Sequence, residues 1–161
     1  MTTLNLIPVN KTVKLSNSIH TDGIIIFRSS QLNRSMDNHE AHAGLYLVAD
    51  NKDVVLHIGF RHNQDVIIFN ARTSGGQWLR AERIPLGNRL LGKNHTVTVY
   101  DHGDNFQILF NGKTGHSFKK QLQGQVSSLM YDVGNDKIPF FSDPVVAETY
   151  NNFAALVVGI N

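Results

Sequence analysis

Cysteine is absent from the 161-residue chain, so the fold owes nothing to disulfides or thiolate metal sites and can form in a reducing compartment. Charge is scarce too. Asp, Glu, Lys and Arg make up 17% of residues, the net charge is +2, and the basic residues are scattered rather than grouped. With no basic tract and no aromatic–basic interleaving, a nucleic-acid partner is not expected. The longest apolar runs, Ile24 to Phe27 and Val66 to Phe69, fall far short of the roughly 20 residues of a membrane span, so no membrane insertion is expected. The segment from Met1 to Asn10 lacks a charged stretch followed by an apolar core, which predicts cytoplasmic synthesis without a cleaved secretory signal. The Asn-x-Ser/Thr triplets at Asn10, Asn33 and Asn94 are then expected to be unused.

Helical periodicity is also missing: no segment of about ten residues carries apolar positions at three-and-four spacing with both a cap and a glycine stop. Strand signals take its place. Val13 and Leu15 alternate around Lys14, and Ile24 to Phe27 follows the turn pair Asp22-Gly23. Leu45 to Val48, Val54 to Phe60 and Val66 to Phe69 read as three further strands, the last two joined by a short hairpin loop over His62 to Asp65. Thr96 to Tyr100 alternates with β-branched residues, as does a half-buried pleated surface. Phe106 to Phe110 runs into Asn111-Gly112, both tolerant of the positive φ of a type I′ turn, with His116 to Lys119 as the returning strand. Ser127 to Asp132 and Ala154 to Ile160 read as the closing strands. About ten short strands with turns every eight to twelve residues predict an all-β sandwich or barrel. No compositional break or repeat divides the chain, so residues 1–161 are expected to form one domain.

The residues with chemical promise lie in Leu56 to Arg61, Val66 to Arg72 and Trp78 to Arg83. Side chains alternate between the faces of a strand, which places His57, Gly59 and Arg61 together while Leu56, Ile58 and Phe60 enter the core. Asn70 and Arg72 share a face on the next segment. Pairing through the short loop would gather a His, two Arg and an Asn on one solvent-facing patch. Such a patch suits a neutral, hydroxyl-rich ligand, because Arg and Asn present fixed donors and His either donates or accepts. The one Trp, Trp78, follows the turn Ser74-Gly75-Gly76-Gln77 instead of interrupting an apolar strand, a placement that leaves its ring free to stack on a sugar. Arg72 reads equally well as a solvated edge residue, Asn70 as a turn former, and Arg80 and Lys119-Lys120 as solvated charges.

In order and approximate spacing, these three segments resemble the carbohydrate-recognition domain of the galectins, whose signature is His-x-Asn-x-Arg, Val-x-Asn, then Trp-Gly-x-Glu-x-Arg. The run from Val97 to Gly112, ending in the Asn-Gly hairpin, is similar to the corresponding galectin stretch. Leu56 to Arg61 and Val66 to Arg72 look closest to the mushroom galectins. The likeness extends from about Thr12 to Val158. It implies a jelly-roll sandwich of two antiparallel sheets and a non-enzymatic lectin that binds β-galactosides such as lactose or N-acetyllactosamine glycans, without a cofactor. It further implies that His57, Arg61 and Asn70 hold the axial 4-hydroxyl and ring oxygen of galactose, that Trp78 stacks beneath the ring, and that Arg83 reaches the second sugar. A homodimer and export without a signal peptide are further family traits.

The chain departs from the pattern twice. The middle Asn of the first signature is Gly59, which deletes a contact to the 4-hydroxyl. The polar stretch Ser35 to Ala43 is the expected source of a replacement, with Asn38, His39 and His42 as donors. The family Glu coincides with Ala81, and Glu82 follows one position later. Strict alternation turns Glu82 away from Arg83, and only a bulge would return it to the site. These changes leave open an altered preference, for N-acetylhexosamines or chitooligosaccharides, or action mainly through protein contacts. No paired carboxylates, nucleophile motif or phosphate loop is present, so catalysis is not expected. His39 and His42 stand three apart without a helix to present them, and no metal site is expected.

Overall fold

The computed structural model describes residues 3–34, 41–135 and 137–160. Among them, besides a single 3-10 turn over His62–Gln64, are thirteen strands and one α-helix. In chain order these are β1 (Thr3–Ile7), β2 (Lys11–Ile19), β3 (Ile24–Ser29), β4 (Ala41–Ala49), β5 (Val54–Arg61), β6 (Val66–Arg72), β7 (Glu82–Pro85), β8 (His95–Asp101), β9 (Asn105–Phe110), β10 (Lys113–Lys119), β11 (Val126–Asp132), β12 (Ile138–Pro139), β13 (Val145–Tyr150) and α1 (Phe153–Ile160).

Period-two alternation sorts these strands into two stacked sheets. One runs β1-β13-β3-β8-β9-β10, and the other β11-β4-β5-β6-β7, with the short β12 lying parallel to β4. Every other pairing between named strands is antiparallel. β2 packs alongside β11. The inward positions interlock into one core: Leu45, Leu47, Leu56, Ile58, Phe60, Ile67 and Phe69 meet Ile25, Phe27, Val97, Val99, Phe106, Ile108 and Phe110. Phe60 lies at its centre, stacked on Phe140 at 5.9 Å and edge-on to Phe110 across the sheets at 6.3 Å. This is the expected all-β sandwich, with His57, Gly59 and Arg61 of β5 left to face outward beyond the register shift near Val55, which is itself buried in the core.

The Asn-Gly hairpin forms as its chemistry dictates. Asn111 and Gly112 take φ of 50° and 81°, β9 returns as β10 with Phe110 opposite Lys113, and the Asn111 side chain accepts a hydrogen bond from Thr96 N at 2.9 Å. The loop between β5 and β6 closes over His62–Gln64 with Asp65 at φ 50°, so that Arg61 faces Val66.

Two expectations are corrected. Ala154 to Ile160 is not a strand: it lies in α1. The last strand of the sheet is β13, and the chain then caps a helix with Asn152, whose Oδ1 accepts from Ala155 N at 2.8 Å. Ala155 and Leu156 cover Ile24, Ile26 and Tyr150 on the outer face of the first sheet, which supplies the tertiary packing a short helix needs. Lys120 is not a solvated charge. It is buried beside Asp101, with Nζ 2.8 Å from Oδ1 and 4.7 Å from the centre of the Phe106 ring.

Candidate functional site

Strand register on the outer face of the second sheet builds the site row by row. His57 lies between Tyr46 on β4 and Asn70 on β6. One row along, Gly59 lies between Gly44 and Ile68, with Asp132 of β11 beyond Gly44 and Arg83 of β7 beyond Ile68. In the last row Arg61 faces His42. Two glycines side by side leave a trough where other residues would raise side chains. His42, Tyr46, His57, Arg61, Trp78 and Asp132 border it, enclosing a cleft of about 180 Å³.

Each side chain is held in place by its surroundings. His57 Nδ1 lies 2.8 Å from Asn70 Oδ1. With that oxygen accepting, Nδ1 carries the proton and Nε2 is left as an acceptor. Burial, offset in part by this hydrogen bond, lowers the His57 pKa to about 4, with Arg61 and Arg72 depressing it further. The imidazole is therefore neutral at physiological pH. Its ring leans over the trough: a Cβ built on Gly44 would sit 3.0 Å from Nε2, and one built on Gly59 3.0 Å from Cε1. Asn70 is 8% exposed, so this polar side chain is committed to His57 rather than to solvent.

Trp78 is 38% exposed, which rules out a core role. The chain leaves β6 at Arg72 and turns at Thr73–Gly76, with Gly76 N donating to Thr73 O at 2.8 Å and Gly75 at φ 71°. Asp53 Oδ1 accepts from Ser74 N at 2.9 Å and ties this turn to the β4–β5 hairpin. Leu79 N then bonds back to Ala71 O at 2.8 Å, fixing Trp78 opposite Arg72. The Arg72 guanidinium lies 4.4 Å from the indole centroid, and the His57 ring 4.8 Å. Arg72 is thus part of the cluster, as the cation that supports the indole.

Arg61 borders the cleft, and among the described residues no hydrogen bond or ion pair engages its guanidinium. The reason is visible in β7. Register pairs Glu82 with Phe69 and Arg83 with Ile68, so Arg83 shares the cleft's face and Glu82 points the other way. Glu82 Oε1 instead meets His116 Nε2 of β10 at 2.7 Å, and His116 stacks on Phe69 at 4.2 Å. No bulge returns Glu82 to the site. Of the residues read from the sequence, the structure brings His57, Arg61, Asn70, Arg72, Trp78 and His42 to the cleft or its border, puts Arg83 exposed on the same face, and leaves Glu82 behind the sheet. Asn38 and His39 lie outside the described residues.

Residues 6–136 match the galactoside-binding lectin family. The chain belongs to the galectin family. It is 31% identical to Galectin-1 of Coprinopsis cinerea over 142 residues, covering 88% of this chain and 90% of that protein. The anti-tumor lectin of Cyclocybe aegerita is 36% identical over 152 residues, 92% of this chain and 96% of that one. Among solved structures, the galectin LEC-6 of Caenorhabditis elegans superposes with a TM-score of 0.65 at 17% identity, covering 91% of this chain and 94% of its own. Sheep galectin-11 gives 0.62 at 13% identity, covering 89% and 98%. The galectins are lectins without catalytic activity, and the mushroom members are the relatives that the sequence motifs resemble.

Within this galectin, Gly44, Tyr46 and Asp132 are site-lining residues that motif reading missed. A signal for the first two was present, since alternation carries outward from His42 through Gly44 to Tyr46. The polar stretch Ser35 to Ala43 overlaps this strand, since β4 begins at Ala41. Asp132 closes β11, 49 residues beyond the last motif residue, Arg83, and only strand order brings it to the cleft. Tyr46 Oη lies 3.5 Å from Asp132 Oδ2, and burial together with that carboxylate pushes the Tyr46 pKa to about 12, keeping the phenol neutral.

Proposed function

We propose that this galectin binds β-galactosides in the cleft between Trp78 and Asp132, with Trp78 beneath the sugar ring, His57 Nε2 accepting a hydroxyl and Arg61 donating. The observation that carries the reading is the pairing of an exposed indole with a neutral, oriented imidazole 4.8 Å away, beside an Arg that no group among the described residues engages by hydrogen bond or ion pair. An apolar platform next to convergent donors and acceptors is what a pyranose presents in reverse: an apolar C–H face rimmed by hydroxyls. Sites built to hydrogen-bond a hydroxyl reject analogues lacking it, because their buried polar groups are then left unpaired.

Calorimetry with lactose, N-acetyllactosamine and chitotriose tests this. Lactose is expected to bind the wild-type protein, and Arg61→Ala and Trp78→Ala to lose binding by about tenfold or more, each removing about 1.4 kcal/mol or more. Absence of lactose binding at millimolar concentration would overturn the reading. The open trough over Gly44 and Gly59 favours a second reading, in which a bulkier N-acetylhexosamine enters; chitotriose binding without lactose binding would support it.

The protein is further proposed to act as a homodimer. The edge strand β1 exposes Leu4 and Leu6 at 67% and 64% on the outer face of the first sheet, and its outer edge pairs with no described strand. Two weak sites in one particle would raise avidity without any new sugar contact.

A further inference from the structure

Gly59 removes the side chain with which the galectin pattern would grip the sugar, and the structure offers another group on the same row. Asp132, Gly44 and Gly59 are consecutive neighbours across three strands, so that row itself raises nothing larger than hydrogen between the carboxylate and the bare position, and the Tyr46 and His57 rings lean over it from the next row. At the strand spacing of about 4.8 Å, the two ends of that row stand about 10 Å apart. Asp132, Tyr46 and Trp78 all line the cleft, the Tyr46 ring 6.2 Å from the indole. The carboxylate is under-used by the protein. Its single hydrogen bond among the described residues comes from Tyr46 Oη at 3.5 Å, the outer limit for such a bond, whereas an ionised carboxylate accepts about four. The other border residues supply donors, a neutral acceptor at His57 Nε2 and the indole; among the described residues lining the cleft, Asp132 is the one acidic side chain.

We propose that Asp132 is a specificity-determining residue of this galectin, its carboxylate accepting a hydrogen bond from a hydroxyl of the bound sugar across the Gly44–Gly59 trough. The assignment rests on the cleft being the galactoside site. It makes the hydroxyl grip ionic, from the opposite end of the row to Gly59, where the family pattern would place an amide. Charge-assisted hydrogen bonds are the stronger kind, so one such contact compensates for the missing Asn.

The test is calorimetric titration of the full chain with lactose and with each monodeoxy lactoside of the galactose ring, on wild type, Asp132→Asn and Asp132→Ala. Thermal melts verify that each variant is folded, and the near-isosteric Asn variant carries the comparison should Ala disturb β11. The expected result is a loss of lactose affinity of about tenfold or more in both variants. One deoxy sugar should weaken wild-type binding by a similar factor and weaken Asp132→Asn no further, the non-additivity of a broken pair. Lactose binding within about twofold of wild type in both variants, or losses that multiply for every deoxy sugar, overturns the assignment. If lactose binding disappears in Arg61→Ala yet persists in both Asp132 variants, the galactoside reading stands and Asp132 alone fails. If the wild type binds no lactose, both fail.

Discussion

A methyl group at position 44 would meet Tyr46 Cε1 at 2.9 Å and His57 Nε2 at 3.0 Å. It would occupy the space that a sugar hydroxyl must enter to reach that nitrogen. Gly44→Ala is therefore expected to weaken lactose binding by about tenfold or more in calorimetry, with a stability cost of about 1 to 3 kcal/mol from crowding in urea denaturation. Histidine 57 sets the pH behaviour. Its pKa of about 4 in the folded chain lies below the usual 6.5, so the unfolded chain binds the additional proton between those values. The stability this neutral ring contributes is full above pH 6.5 and is lost progressively as pH falls towards 4. Sugar binding through Nε2 needs the same neutral ring. Lactose affinity is expected to hold steady from pH 7 to about 5.5 and to fall as pH approaches 4; a midpoint near 6.5 would show an ordinary, unperturbed histidine.

Elements decide which of these residues meet. The core strands were legible because β8 and β9 alternate strongly, β4, β5 and β6 carry short apolar runs bounded by turns, and the Asn-Gly turn has one obvious geometry. Strand β13 and helix α1 were not. Val-Val-Ala-Glu-Thr-Tyr alternates weakly, while Phe-Ala-Ala-Leu-Val-Val is apolar without period and looks like a buried strand. What distinguishes it is the Asn152 cap and the outer apolar patch of Ile24, Ile26 and Tyr150, and that patch exists only once the sheet is assembled. Lys120 was misread for the same reason, since its partner Asp101 lies at the end of β8. Asp101 also accepts from Gly103 N at 2.8 Å, so this pair fastens the turn into β9. Lys120→Ala strands a buried carboxylate and is expected to cost about 3 to 5 kcal/mol in urea denaturation, without changing sugar affinity under folded conditions. In the site, motif spacing led to His57, Arg61, Asn70 and Trp78 because each lies in a contiguous segment. Asp132 needed strand order, which no local pattern encodes.

Across the whole molecule the two sheets divide the labour. The outer face of one carries the cleft, while that of the other carries α1 and the apolar edge of β1. Glu82 and His116 join them through a contact that passes behind the site, beside Phe69 in the core. The proposed binding and assembly surfaces thus lie on different sheets. Leu4→Glu with Leu6→Glu is expected to shift the protein from dimer to monomer in light scattering, leave calorimetric lactose affinity per site unchanged and abolish agglutination of red cells. A wild-type mass of one chain would remove the dimer.

The bond from His57 to Asn70 has one more use. By confining the proton to Nδ1, it gives the imidazole a single tautomer, and the two ring nitrogens then have well-separated ¹⁵N resonances. A hydroxyl arriving at Nε2 would move one of those signals and leave the other nearly still. The residue at the centre of the cleft is thus a built-in spectroscopic probe in ¹⁵N-enriched protein, able to register a bound glycan that itself carries no label.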